Sequence, residues 1–221
     1  MKTVGIILSG CGVYDGSEIQ EAVLSLLAVE RRNAKAVCFA PDKAQADVID
    51  HLSGQAQSGG RNVLAESARI ARGQVSPFEK ADPGALDALI VPGGFGAAKN
   101  LCDFASKGAG CTVVEPLRAL IEGMYAAKKP MGFACIAPVI AAKVLGAHKI
   151  TLTVGSDTSE TAQAIREMGA KTVARFADQS WADVAHRIVS TPAYMEAVSI
   201  TQVYLGIETM VHEVLAMCAL S

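Results

Sequence analysis

The sequence predicts an α/β fold in which a mostly parallel sheet is covered by helices on both faces. Short apolar runs alternate along the whole chain with amphipathic segments of helical period. The first three elements are a strand, a helix and a second strand, which is the order that joins parallel strands. No repeat or low-complexity linker divides the sequence, so we expect one domain over residues 1–221.

The composition excludes several classes of function. Apolar residues make up 51% of the chain, and Lys+Arg (20) nearly balance Asp+Glu (22). Without a basic cluster, the chain lacks the charge pattern of nucleic-acid binding. The longest apolar runs are interrupted before about 18 residues, so we expect no membrane partner. The six cysteines are scattered and form no Cys-x-x-Cys pair, which predicts reduced thiols, no metal site and a cytoplasmic location.

The first elements run from residue 4 to residue 40. Val4–Leu8 is predicted to be a strand, and Ser9–Gly16 a glycine-rich loop. A helix follows from Ser17, as its N-cap, to Arg32, and Ala36–Ala40 is the second strand. The segment before Cys11 resembles a lipoprotein cleavage box, but it is shorter than a secretory signal of about 15–30 residues.

Gly10, Gly12 and Gly16 also resemble a dinucleotide-binding fingerprint. A pyrophosphate at this helix start would meet the negative charges of Glu18 and Glu21, which would repel it. We therefore expect no dinucleotide cofactor.

The middle of the chain contains a second glycine-rich turn. Residues 41–61 are polar and irregular, Asn62–Arg72 is an amphipathic helix, and residues 74–86 form a connection. Asp87–Val91 is a buried strand that runs into Pro92–Gly96. This glycine segment is either a tight turn or a loop that presents backbone amides, and its sequence leaves both open.

The remaining elements continue the alternation. In order, they are a helix over Val113–Ala127, strands over Met131–Ala134 and Ile150–Val154, a helix over Ser159–Met168, a strand over His186–Ser190 and a helix over residues 200–217. Ligands are expected at the carboxyl ends of the strands.

Cys135 follows the Met131–Ala134 strand directly and precedes a helix. Pro138 suits a first helical turn, and Gly146 supplies a stop. A cysteine at a helix N-terminus is favoured as a thiolate, the nucleophilic form. The alternative is a buried, inert cysteine that packs as a small apolar side chain.

Three motifs carry a family resemblance. Ser9–Ile19, Pro92–Asn100 and Cys135–Pro138 resemble, in this order, the enhancing-lycopene-biosynthesis (ElbB) family of glyoxalase-like proteins. That family belongs to the PfpI superfamily, which is related to class I glutamine amidotransferases. The resemblance implies a flavodoxin-like three-layer sandwich with a cysteine nucleophile elbow, a small dicarbonyl substrate, no cofactor and a homodimer.

The resemblance also implies roles for individual residues. Cys135 is the nucleophile, its carboxylate partner maps to Glu21, and Glu18 is the fallback. The amides of Gly94 and Ile136 are expected to stabilise an oxyanion. The remaining residues, expected to bind substrate at the same edge, are Gly93, Asn100, Tyr14, Thr191 and Tyr194. Cys11 is expected to be mainly a loop residue, with a position facing Cys135 as the alternative.

The expected activity is that of a glutathione-independent, glyoxalase III-like lyase. It converts glyoxal or methylglyoxal to glycolate or lactate through a Cys135 hemithioacetal. Amidotransferases need a late His-x-Glu pair, which this chain lacks, and PfpI-type proteases carry histidine where Ile136 stands. The alternative function is a non-catalytic redox sensor or binding module that uses an oxidisable Cys135.

Overall fold

A seven-stranded sheet organises the protein, whose computed structural model describes residues 1–219. Neighbouring strands are parallel, except for the antiparallel pair at one edge. With strands numbered in chain order, the order across the sheet is β3 (Val75–Pro77), β2 (Lys35–Ala40), β1 (Thr3–Ile7), β4 (Ala88–Val91), β5 (Met131–Ala134), β9 (Ile188–Thr191) and β8 (Trp181–Asp183). A separate parallel pair joins β6 (Thr151–Leu152) to β7 (Lys171–Thr172).

Helices cover both faces of the sheet. One face carries α1 (Ile19–Arg31), α2 (Val63–Ile70) and α8 (Ile200–Met217). The other carries α3 (Phe95–Lys99), α4 (Phe104–Lys107), α5 (Glu115–Ala126), α6 (Pro138–Leu145) and α7 (Glu160–Glu167). The predicted flavodoxin-like three-layer sandwich is therefore confirmed.

The central strands are buried on both faces because their side chains alternate between two apolar cores. In β4, Ile90 packs into the core beneath α1 and α8, whereas Leu89 packs into the core beneath α5 and α6. Such strands are continuous apolar runs, which is why the sequence identified them. Their parallel direction places the residues that follow β1, β4, β5 and β9 at one edge of the sheet.

Several predicted boundaries differ from the structure. Helix α1 begins at Ile19, and its N-cap is Glu18 rather than Ser17, whose hydroxyl accepts a hydrogen bond from Ser9 N at 2.8 Å. The segment Pro92–Gly96 turns directly into α3, which the sequence did not predict. Thr191, one residue beyond the predicted strand His186–Ser190, is the last residue of β9.

Short strands account for the other differences. The predicted connection over residues 74–86 contains β3, and β8 was not predicted. Residues 150–154 were predicted to be a strand, but only Thr151–Leu152 is one, and it lies in the two-stranded sheet. Strands this short carry no readable period and depend on pairing with a neighbouring strand.

Candidate active site

Cys135 lies at the turn between β5 and α6. Its backbone has a φ of 58°, a left-handed conformation that costs a non-glycine residue about 1–3 kcal/mol. The turn is fixed on both sides, because Cys135 N donates to the Thr191 carbonyl and Ala137 N donates to the Ala134 carbonyl, each at 2.9 Å. The predicted strand, strained cysteine turn and helix are all present.

Two backbone amides point at the Cys135 sulfur. The N–H groups of Gly94 and Ile136 both donate hydrogen bonds to it. Gly94 has a φ of 93°, and a Cβ at this position would lie 2.3 Å from Glu18 N, so no other residue fits without a shift of the backbone. Both amides face the sulfur, as expected, and their role in stabilising an oxyanion stays a prediction.

Glu21 is fully buried and contacts the nucleophile. Its carboxyl group forms a hydrogen bond with Cys135. Gly93 N donates to Oε2 at 2.8 Å and Tyr194 N donates to Oε1 at 3.3 Å, so both oxygens are held. A Cβ on Gly93 would lie 2.4 Å from Cys135 Cβ and 2.7 Å from Glu21 Oε2, so this position accepts only glycine.

Burial sets the protonation of this pair. Burial, followed by the nearby charge of Glu18, raises the pKa of Glu21 to about 8, against the N–H groups of Tyr194 and Gly93. Burial, followed by the Glu21 charge, raises the pKa of the Cys135 thiol, against the amides of Gly94 and Ile136. Once Glu21 is protonated its charge no longer opposes the thiolate. Both shifts favour the protonated forms near neutral pH, so the thiolate forms most readily while Glu21 keeps its proton.

The expectation of an easily ionised, accessible thiol needs correction. Cys135 is only 8% exposed. Its position before α6 does bring an amide to the sulfur, but the cost of burying a charge outweighs that contribution, and an ionised Glu21 adds to the cost. The thiolate thus depends on Glu21 holding the proton.

A cavity of about 480 Å³ opens onto Cys135. Its lining is largely apolar, with one carboxylate, that of Glu18. The lining residues that the sequence did not predict are Val13, Phe95, Ala98, Phe104, Ala105, Thr161 and Met195. Val13, Phe95 and Ala98 lie within the motifs Ser9–Ile19 and Pro92–Asn100, and the other four belong to no pattern that marks a site.

Glu18 lines the cavity without bonding to the sulfur. Its Oε2 accepts a hydrogen bond from Glu21 N at 2.6 Å, which caps α1. Tyr194 also lines the cavity, and its hydroxyl forms a hydrogen bond with Gln20. Of the two candidate carboxylates, Glu21 is thus the one in contact with Cys135.

Four predicted substrate-binding residues do not line the cavity, and one of them, Gly93, lies against Cys135 and Glu21 instead. Tyr14 is 41% exposed and stacks against His51, with ring centroids 4.9 Å apart. Asn100 is buried and ties loops together, donating to the carbonyls of Ser9 and Asp15 at 2.9 Å each. Thr191 directs its hydroxyl to the Gln179 carbonyl at 2.8 Å. These side chains are placed by distant segments of the chain, which local sequence does not reveal.

Cys11 is a loop residue. It does not line the cavity, and the charges of Glu66 and Arg69 act on it instead. Within residues 1–219, no group of three or more His, Cys, Asp or Glu side chains is arranged to hold a metal ion.

Two curated relatives match almost the whole chain. The chain is 43% identical to glutamine amidotransferase-like class 1 domain-containing protein 3, mitochondrial, of Homo sapiens, and 42% identical to ES1 protein homolog, mitochondrial, of Rattus norvegicus. Each alignment covers 96% of this chain and 82% of the relative. The chain belongs to the ES1 family. No family model matches it.

Two solved structures share the fold of this ES1-family chain. An isoprenoid biosynthesis protein with an amidotransferase-like domain from Ehrlichia chaffeensis is 37% identical, has a TM-score of 0.92, and is aligned over 98% of this chain and 99% of its own. A DJ-1 superfamily protein from Agrobacterium tumefaciens is 14% identical with a TM-score of 0.58, over 100% of this chain and 92% of its own. The second match shows the fold alone. The ES1-family chain therefore has the DJ-1/PfpI fold, related to class I glutamine amidotransferases.

Among residues 1–219, none of the helices is both long enough and apolar enough to cross a bilayer. The names of the human and rat relatives place those proteins in mitochondria. The cytoplasmic location expected for this ES1-family chain stays a prediction.

Proposed function

We propose that this chain is a cofactor-independent, glutathione-independent glyoxalase-like enzyme that converts glyoxal or methylglyoxal to glycolate or lactate. The observation that carries the proposal is the hydrogen bond between Cys135 and Glu21. It joins a nucleophile, open to a cavity, to a carboxyl group that holds its proton near neutral pH. Moving hydrogen between two adjacent carbons needs both groups.

The first step forms the covalent adduct. The Cys135 thiolate attacks the aldehyde carbon, and the carbonyl oxygen takes the Glu21 proton, giving a neutral hemithioacetal. During the attack, negative charge develops on that oxygen, and the amides of Gly94 and Ile136 are the nearest donors to it.

The second step moves hydrogen and releases the product. The Glu21 carboxylate removes the proton from the former aldehyde carbon, leaving an enediolate. The hydroxyl proton moves to the neighbouring oxygen, and Glu21 returns its proton to the neighbouring carbon. The result is a thioester of the 2-hydroxy acid. Water hydrolyses this thioester, which frees the acid and restores the starting state of Cys135 and Glu21.

The charge of the cavity supports a neutral substrate. Glu18 supplies a negative charge, and no Lys, Arg or His side chain from residues 1–219 lines the cavity. A substrate that carries a carboxylate or phosphate would therefore be repelled. Glyoxal and methylglyoxal are uncharged and fit this environment.

The same lining argues against glutamine hydrolysis. A free amino acid substrate would bring its carboxylate into a cavity that holds Glu18. The histidine that amidotransferases use to activate cysteine has no counterpart among the lining residues. We therefore take the amidotransferase-like name of the human relative as an indication of common ancestry, and we do not infer glutamine hydrolysis from it.

Redox sensing is the second candidate function. The Glu21 contact favours it as well, because a protonated carboxyl group stabilises a sulfinate on the neighbouring sulfur by hydrogen bonding. In this case each Cys135 would react with a single oxidant or dicarbonyl molecule, and the reaction would stop there.

Turnover separates the two functions. Purified protein is incubated with excess methylglyoxal, and lactate is measured over time by chiral chromatography. Lactate in large excess over protein, with one enantiomer dominant, supports the enzyme. Methylglyoxal loss that stops at one equivalent per chain, without lactate, overturns it and favours the sensor.

Membership of the ElbB glyoxalase-like family, a homodimer and a cytoplasmic location are further parts of the proposal. The Ehrlichia chaffeensis relative, named for isoprenoid biosynthesis, supports the first of these. Sedimentation equilibrium tests the dimer, since a monomer mass at micromolar concentration contradicts it.

A further inference from the structure

Two further cysteines, Cys102 and Cys111, lie beside the cavity and have no part in the proposed chemistry. Cys102 forms an antiparallel backbone bridge with Val113, and Val114 N donates to the Leu101 carbonyl at 2.9 Å. Residues two apart on an extended segment point to the same face, so Cys111 shares the face of Val113 and lies diagonally across from Cys102. The two thiols lie close enough for each to change the ionisation of the other.

The surroundings give the two sulfurs different roles. Cys102 Sγ lies 3.3 Å from the Ala97 carbonyl oxygen, an acceptor that favours its protonated form. Lys143 Nζ donates to the Ala109 carbonyl at 3.2 Å, which brings a positive charge near Cys111. The Cys102 contact and this charge lower the pKa of Cys111, against its burial. Cys111 is therefore the nucleophile of the pair.

The segment between the two cysteines forms part of the cavity wall. It contains α4, and Phe104 and Ala105 of this segment line the cavity together with Cys135. Gly108 and Gly110 follow in a short 3-10 turn, and residues 105–107 are exposed, whereas Cys102 and Cys111 themselves are buried. A change in the distance between Cys102 and Cys111 is thus transmitted to the wall that faces the nucleophile.

We propose that Cys102 and Cys111 are a redox-active dithiol that peroxide closes to a disulfide, moving the segment that lines the Cys135 cavity. The Cys111 thiolate attacks hydrogen peroxide, which gives a sulfenic acid and, after protonation, one water. The Cys102 sulfur attacks that sulfenic acid, its proton leaves with the hydroxyl group as a second water, and the S–S bond forms. Peroxide is reduced by two electrons, and the two thiols are oxidised.

Peptide mapping tests the disulfide directly. The Cys135→Ser chain is treated with limiting hydrogen peroxide, its free thiols are blocked with N-ethylmaleimide in denaturant, and it is digested with trypsin. Cleavage after Lys99, Lys107 and Arg118 places Cys102 and Cys111 on separate peptides, residues 100–107 and 108–118. We expect these peptides joined by a bond that dithiothreitol breaks. Both peptides fully blocked by maleimide, at a peroxide dose that oxidises other thiols, overturns the proposal.

Single substitutions supply matched controls. Cys111→Ser is expected to leave Cys102 reduced, because the attacking thiolate is gone, whereas Cys102→Ser is expected to leave Cys111 as a sulfenic acid that dimedone traps. Equal dimedone trapping at Cys102 in the Cys111→Ser chain contradicts the assignment of Cys111 as the nucleophile.

The effect on the cavity is measured at Cys135. The chain with Cys135 intact is oxidised, its alkylation by iodoacetamide is followed by mass spectrometry, and the rate is compared with that of the reduced chain and of Cys111→Ser. A rate that changes on oxidation and returns with dithiothreitol supports the coupling. A rate that is the same in all three samples shows that the disulfide does not move the cavity wall.

Discussion

The Glu21 carboxyl group is close enough to Cys135 to exchange a proton with the thiol and with its adducts. We expect Glu21→Gln to lower turnover of methylglyoxal by about 10²–10⁴-fold, the range for loss of a general base, and Cys135→Ser to be at least as severe. Glutamine can still accept the Gly93 N–H through its carbonyl oxygen, so the fold is expected to persist. Steady-state kinetics with circular dichroism as a folding control checks this. Full turnover in Glu21→Gln would contradict this role and show that another residue acts as the base.

Glu18 acts on Glu21 through its charge. It raises the pKa of Glu21, so Glu18→Gln is expected to lower that pKa and to move the pH profile of kcat/KM toward lower pH. The glutamine oxygen can still accept the Glu21 N–H that caps α1, which separates charge from structure. A profile that stays in place, or moves to higher pH, contradicts this role.

Gly93 leaves room for the Cys135 and Glu21 contact. In Gly93→Ala, the new Cβ would lie 2.4 Å from Cys135 Cβ, so the pair is forced apart. We expect turnover to fall by about 10²-fold, as for a displacement of about 1 Å at a reacting group. Gly60→Ala is the matched control, because a Cβ there has nothing within 4 Å. Equal activity in the two variants would show that the sulfur position does not matter.

The sequence predicted those site residues whose positions follow from local motifs. Cys135 follows a buried strand, Gly94 follows another, and Glu21 lies in the early turns of α1, so all three reach the same edge of the sheet. Tyr14 and Thr191 also lie at strand ends, but their side chains are turned away by His51 and by the Gln179 carbonyl. Partners this far along the chain leave no local signal.

The elements near the nucleophile were predicted almost to the residue. Met131–Ala134 is β5, as expected, because a run buried on both faces is apolar throughout. Helix α6 has its proline at the start and its glycine after the end, which are local signals. Strands β3 and β8 have three residues each, and only their pairing in the sheet stabilises them.

Asp183 fastens the two-stranded sheet to the edge of the main one. Its Oδ2 accepts the Thr151 N–H at 2.7 Å and lies 2.8 Å from His186 Nδ1. Asp183→Ala leaves a donor unpaired, so we expect the free energy of unfolding to fall by about 1–3 kcal/mol. Urea unfolding measures this, and hydrogen exchange at Thr151 N is expected to accelerate.

Asp178→Ala is the control for this change, since Asp178 is exposed on the same stretch of chain. Unfolding curves that coincide for Asp183→Ala and the parent chain would show that β6 is held by its apolar contacts alone.

For the molecule as a whole, the fold class followed from the alternation of strands and helices. That alternation implies parallel strands and two helical layers, and both are found. The order across the sheet, with β1 between β2 and β4, is not contained in any single element, because it depends on which strand pairs with which. The resemblance to a known family implied the flavodoxin-like sandwich, and the order of the strands was not predicted.

Global stability is expected to fall as pH rises through about 8. Glu21 has a pKa of about 8 in the folded chain and an ordinary value of 4.5 when exposed. The folded state thus binds its proton more tightly, so this contribution is fully present below about pH 4.5 and is lost as pH rises through 8. Urea unfolding between about pH 5 and pH 8 is expected to show a shallower decline in Glu21→Gln. Parallel declines in the two chains would refute it.

The left-handed backbone at Cys135 bears on attempts to engineer this protein. Glycine adopts a φ of 58° without strain, whereas cysteine does not. Stability and chemistry therefore select different residues at one position. A mutant library sorted for heat resistance alone is expected to accumulate glycine there and to lose the nucleophile, so a useful selection has to demand catalysis in the same round.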